Sequence, residues 1–125
     1  MSKELIRHLI QEIYYDNVDR GDMTAATQAF HPDVEWSHAQ VWAHHDFARG
    51  HAVALQGRAA VFDFLQERVA QLKDAAITHH LTDLVWEGDR GAYLGVVRGP
   101  GPEKPFMVWI ELRDGLIGRY TLRPL

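Results

Sequence analysis

AITHHLTDLVWEGDRGAYLGVVRG, residues 76–99, is where the chain changes its hydrophobic period from about 3.6 to 2. The runs AITHHLTDLVWE (76–87) and AYLGVVRG (92–99) are rich in β-branched and aromatic residues and are split by the short EGDRG. They read as two strands of a hairpin. PFMVWIELR (105–113) and LIGRYTL (116–122) continue the pattern, joined by GPGPEKP and by the Asp-Gly turn at 114 and 115. Connections this short favour antiparallel neighbours.

Upstream the period is helical. Leu5, Ile6, Leu9, Ile10, Ile13, Tyr14 and Val18 share one face of a helix over residues 3–20, which Gly21 ends. Asp22 is placed to cap a second, shorter helix containing Met23, Ala26 and Phe30, stopped by Pro32. VEWSH (34–38) alternates as a half-buried strand, with Val34, Trp36 and His38 on one side. Beyond Gly57, Val61, Phe62, Leu65, Val69 and Leu72 repeat at the spacing of a third helix. Helices first and strands after predict an α+β fold, with helices segregated on one face of an antiparallel sheet.

The 125 residues suit a single domain over 1–125, with no internal repeat or linker. Hydrophobic residues make up 46% and charged residues 24%, and no apolar run approaches the roughly 20 residues that span a bilayer. The start, MSKELIRHLIQE, has no secretory pattern, so a cytoplasmic location is expected. The absence of cysteine excludes disulfides, thiolate metal sites and thiol nucleophiles. A net charge of -4 with the signs interspersed gives no footprint for nucleic acid or a membrane surface. No Gly-x-Ser-x-Gly or dinucleotide fingerprint occurs, and GPGPEKP lacks the strand-to-helix setting of a phosphate loop.

Candidate chemistry centres on tyrosine and histidine. Tyr14 lies on the apolar stripe of the first helix, where its hydroxyl needs a partner, either a backbone group or a substrate oxygen. Tyr15, beside it but off the stripe, reads as surface or interface. His38 continues the inward side of Val34 and Trp36, and an imidazole with an ordinary pKa of about 6.5 can accept a proton near neutral pH. Asp19 sits at a helix C-terminus, which disfavours a carboxylate; it reads as a solvated turn residue or as the orienter of an imidazole. Trp36, Trp42, Phe47, Phe62 and Trp109 are candidates for the walls of a pocket for a flat, apolar ligand, and Trp86 for the core. SHAQVWAHHDFARGH (37–51) adds His44, His45, Asp46 and His51, a conceivable metal site without a recognised ligand spacing. Its other reading is a rim or lid in which Trp42, His44 and Phe47 shape access.

The order αα-β-α-ββββ, together with YYDNVDRGDMTAATQAF, HPDVEW, GRAAVFDFL and IELRDGLIGRY, resembles the nuclear transport factor two-like superfamily, in particular ketosteroid isomerase, scytalone dehydratase and the SnoaL-like polyketide cyclases. The resemblance implies a cone-shaped α+β barrel: three helices from the N-terminal half on a strongly bent antiparallel sheet, with an apolar pocket at the open end. It also implies homodimers packed sheet to sheet, an apolar and cyclic small-molecule ligand, and no cofactor or metal. Counting from these motifs, the isomerase's oxyanion-binding tyrosine corresponds to Tyr14 and its general base to His38; its second oxyanion donor falls near Trp109, where no acid stands. The dehydratase's aspartate corresponds to Asp19, its first-strand tyrosine to His38 and one histidine to His79, with His80 on the opposite face as the alternative. Its further histidine has no counterpart. The function implied is a cofactor-independent isomerase, dehydratase or cyclase working by proton transfer next to a carbonyl. Two alternatives remain: a ligand-binding or protein-interaction module without turnover, and a metal-dependent enzyme using residues 38–51.

Overall fold

The computed structural model describes residues 2–42, 50, 52–72 and 76–125. The first helix, α1, is continuous but not uniform: Lys3–Arg7 and Asp16–Arg20 are α-helical and the intervening His8–Tyr15 is π-helical. Ser2 caps its start by accepting the Leu5 N–H at 3.2 Å. At its end Gly21 takes φ 85°, with the Asp22 N–H donating to the Asn17 carbonyl and the Gly21 N–H to the Val18 carbonyl. That is a Schellman ending, which only glycine adopts without strain.

The π-helical turns are wider than α turns and rotate the following residues relative to a 3.6-residue period. Ile6, Ile10 and Val18 are buried as expected, but so are both Tyr14 and Tyr15, whereas Leu5 is exposed. Tyr15 is 2% accessible, so its reading as a surface residue is corrected. Helix α2, Met23–Ala26, is capped by Asp22 Oδ1 on the Ala25 N–H at 3.0 Å and runs into a 3-10 turn, Thr27–Ala29. Phe30 therefore begins the next strand instead of closing this helix. Helix α3 spans Arg58–Leu72.

Six strands form one curved, unclosed sheet in the order β2-β1-β6-β5-β4-β3. They are β1 (Phe30–Ala39), β2 (Ala52–Gln56), β3 (Thr78–Glu87), β4 (Arg90–Arg98), β5 (Lys104–Arg113) and β6 (Leu116–Pro124). All neighbours are antiparallel except β1 and β6, which run parallel. Pro32 is accommodated within β1 because the pairing with β6 is interrupted between Phe30 and Glu35. Strand β2 went unread in the sequence: AVALQ is a short edge strand with alternating partial exposure and little β-branching. The Asp114-Gly115 turn has φ of 54° and 78°, the doubly positive pattern of a tight hairpin.

The three helices of the N-terminal half pack on the inner face of the sheet. There they bury Val34 and Trp36 from β1, Phe106, Val108 and Ile110 from β5, and Ile117, Tyr120 and Leu122 from β6. The same alternation turns Met107 and Trp109 outward. Trp109 is 41% exposed and donates its indole N–H to Glu111 Oε2 at 2.8 Å, so it is no pocket wall. Two irregularities bend the sheet. β3 carries an extra residue between Leu81 and Asp83 against Gly95 and Leu94 of β4, and a second shift separates Glu111 and Leu112 in the pairing of β5 with β6.

Candidate active site

The open end of the fold holds a cavity of about 280 Å³ between the end of α1, the second half of α3 and the sheet. Its wall is mostly apolar, with Val18, Val41, Phe64, Leu65, Ile77 and Leu122 among the lining side chains. Polar groups are few: Tyr14, Asp19, His38, Gln40, Arg68, His79 and Tyr120 supply most of the functional ones. An apolar cleft with a small set of converging polar groups is the usual form of a small-molecule site.

Asp19 and His79 are brought together from the end of α1 and the start of β3. Asp19 Oδ1 lies 2.6 Å from His79 Nδ1, and Asp19 Oδ2 accepts the His79 backbone N–H at 2.8 Å. The carboxylate is 12% exposed on its side chain and can only accept, so it holds the proton on Nδ1 and leaves Nε2 as the basic nitrogen. The imidazole also stacks on Tyr15, with centroids 5.3 Å apart and planes at 14°. Asp19 is thus bonded to an imidazole and largely enclosed, which sets aside its reading as a solvated turn residue.

The choice between His79 and His80 was open in the sequence because a bulge decides it. Counting by twos from Leu84 and Trp86, which pack inward, leads to His80. The extra residue near Thr82 resets the alternation, so that Leu81 and His79 face in, while His80 Nε2 pairs with the Thr78 hydroxyl at 2.8 Å. Gln11 stabilises this geometry. Its side-chain amide donates to the His79 carbonyl at 2.9 Å and accepts the Leu81 N–H at 2.7 Å, as a neighbouring strand would on this open edge.

His38 is half-buried on the cavity wall and lies flat on the indole of Trp36, with centroids 5.0 Å apart and planes at 4°. Burial pushes its pKa down to about 3, helped by His79 once that imidazole is protonated and by the positive charges of Arg68 and Arg123. It is therefore a neutral imidazole at ordinary pH, a donor or acceptor of hydrogen bonds and a poor proton acceptor. Trp36 stacks in turn on Tyr120 and belongs to the core behind the wall, so it supports His38 and does not line the cavity. This corrects its placement among ligand-contacting residues.

Tyr14 lines the cavity and stacks on Tyr15, with Phe30 and Tyr120 edge-on to it. Burial raises its phenol well above the ordinary value, against the pull of Tyr120 and Trp36, so it stays a protonated donor. The Trp36 indole N–H is near enough to weigh on this phenol yet meets no acceptor at ordinary hydrogen-bond geometry among the described residues. Tyr15 bridges Tyr93 and Tyr120 through its hydroxyl, at 2.7 and 3.0 Å. A buried chain of phenols thus runs from β4 through α1 to β6 and ends at the cavity.

Trp42 lines the cavity, while Phe62 packs against the core from a different side of α3 and does not. Phe47, His44, His45, Asp46 and His51 lie outside the described residues. Arg68, Gln40 and Tyr120 were missed in the sequence. For Arg68 a signal existed: a charged residue four positions after Phe64 and three after Leu65 sits on the apolar face of α3.

No curated protein matches the chain by sequence. Among solved structures, a candidate ketosteroid isomerase from Kribbella flavida DSM 17836 is similar over 98% of this chain and 78% of its own, at 20% identity and TM-score 0.69. A candidate polyketide cyclase from Xanthomonas campestris pv. campestris covers 97% and 90%, at 24% identity and TM-score 0.64. A de novo designed protein with a curved β-sheet covers 100% and 88%, at 20% identity and TM-score 0.70. At these identities the likeness is one of fold. The family model of the SnoaL-like domain matches residues 12–120, across both the Asp19–His79 pair and the sheet that shapes the cavity, and the chain belongs to the SnoaL-like domain family.

Proposed function

We propose that the protein is a cofactor-independent enzyme that moves a proton next to the carbonyl of a small molecule with an apolar, cyclic body. The observation that carries this reading is the Asp19–His79 pair, with its basic Nε2 beside an apolar cavity that also presents the Tyr14 hydroxyl. His79 takes the α-proton on Nε2, and Asp19 stabilises the imidazolium that results. Tyr14 and neutral His38 are the donors for the developing enolate oxygen, both held in place by aromatic packing before the substrate arrives. Isomerisation, dehydration and cyclisation all pass through this enolate step. The names of the Kribbella and Xanthomonas proteins favour the first and the last.

The test is exchange of the α-protons of 2-tetralone in D₂O, followed by proton NMR. The wild type accelerates exchange, His79→Gln loses about 10² to 10⁴ of that acceleration, and Tyr14→Phe loses about 10² to 10³. Exchange by His79→Gln at the wild-type rate rules the assignment out. Binding of 2-tetralone without exchange above the buffer rate points instead to a ligand-binding module on the same fold.

The exposed Val85, Leu94, Met107 and Trp109 share the outer face of β3, β4 and β5 and support a homodimer packed sheet to sheet. No described helix is long and apolar enough to cross a membrane. The dispersed charge of the chain supports action on a small soluble metabolite.

A further inference from the structure

Gly99 follows β4 directly and, in the register that sets Thr78 against Arg98, faces Ile77 just ahead of β3. Its backbone lies outside the left-handed region, so conformation alone would admit any side chain there. Space would not. A Cβ at this position would lie 2.9 Å from Ile77 Cγ2, and 3.0 and 3.4 Å from Trp42 Cη2 and Cζ2, the far edge of the indole. Trp42 and Ile77 both line the cavity, whereas Gly99 is not among its described lining residues, so the glycine backs these two side chains from outside. The main chain beneath the indole is anchored: the Trp42 carbonyl accepts the Gln40 side-chain amide at 2.6 Å, and the Gln40 carbonyl accepts the Gly50 N–H at 2.7 Å. Ile77 precedes His79 by two residues, so the wall runs along β3 from the histidine to the indole.

We propose that the Trp42 indole, seated on Gly99 and Ile77, is the stop that sets how long a ring system the cavity accepts, and that the ligand is a carbonyl compound of two fused rings. The carbonyl in that description rests on the proton-transfer reading above; the stop does not. A cavity of about 280 Å³ lies at the small end of ligand sites. A ligand whose reacting carbon lies at His79 extends its body past Ile77 and meets the face of Trp42. With its main chain anchored and bare backbone behind it, the indole sits as far from the cavity centre as Gly99 permits. A methyl group added at 99 has to displace the ring edge towards the open space of the cavity, because packed interiors leave no other room. Gly99 is thus a specificity-determining residue that acts through Trp42.

The experiment compares 2-tetralone with its linear benzologue, 3,4-dihydroanthracen-2(1H)-one, which is longer by one ring at the end away from the carbonyl. Affinities are read by calorimetric titration. The wild type prefers 2-tetralone, and Trp42→Ala raises the relative affinity for the benzologue by about tenfold or more, the scale on which a pocket discriminates by a few apolar atoms. Gly99→Ala shifts the ratio the other way, and does so distinctly less in the Trp42→Ala background, as expected of two residues that act through one contact. His79→Gln keeps the wild-type ratio. A wild type that prefers the benzologue, a ratio unmoved by Trp42→Ala, a Gly99→Ala variant that weakens both ketones by the same factor, or no binding of either ketone overturns the proposal. Trp42→Phe shortens the wall by part of the indole and keeps the comparison readable should the alanine variant fail to fold. The ratio is a property of binding and the deuterium exchange is a rate governed by His79, so either reading can fail without the other.

Discussion

The imidazole of His38 lies between the Trp36 indole and the cavity, near the charges of Arg68 and Arg123 and of His79 once protonated, and each of these disfavours its protonation. In the unfolded chain the same group has a pKa of about 6.5. Between that value and about 3 the unfolded state binds a proton that the native state does not, so stability falls as the pH drops through this window. Above 6.5 neither state is protonated and the effect vanishes. We expect urea unfolding midpoints of the wild type to decline from pH 6.5 towards pH 4 by the equivalent of a few kcal/mol. His38→Gln should decline distinctly less; an identical decline in both would remove His38 as the cause. The position of His38 on the inner face of β1 was legible from the alternation of Val34 and Trp36, but its weak basicity was not. That depends on how α3 and β6 enclose it.

At the scale of elements, β3 decides which histidine meets Asp19. Its extra residue stands against Gly95 of β4, where a Cβ would come within 2.5 Å of the Phe106 ring and 2.8 Å of the His80 carbonyl. The glycine is there because the bent strand and the aromatic ring leave no room. Gly95→Ala should destabilise the fold by about 1 to 3 kcal/mol, the usual range for overpacking, as read from chemical denaturation. Its effect should extend to function, because moving the His80 carbonyl shifts the segment that carries His79. A variant as stable as the wild type would show that the bend has slack. Helix α1 teaches a related lesson: its apolar stripe was visible, yet the π-helical turns that bring Tyr15 inward beside Tyr14 leave no mark in a 3.6-residue period.

For the molecule as a whole, the outer face of the sheet sets an unburied apolar cluster beside charged pairs such as Arg119 with Glu35 and Glu111. If two copies join through this face, sedimentation equilibrium at micromolar concentration gives twice the chain mass, and Trp109→Asp returns it to the single-chain value. A wild type that sediments as one chain excludes the dimer. The amino-acid sequence alone determined the order of the main helices and most strands, the α+β class, the Asp114-Gly115 hairpin and the inward set of β1, because period, caps and turn residues are local properties of the chain. It also contained the likeness that the SnoaL-like match bears out. Only the tertiary structure decided that β2 adds an edge, that Trp109 faces out, that Asp19 reaches His79 sixty residues away, and that a buried Arg68 stands in the cavity wall. These outcomes turn on bulges, on a widened helical turn and on long-range enclosure, where one residue of offset reverses a side chain and no local pattern records the partner.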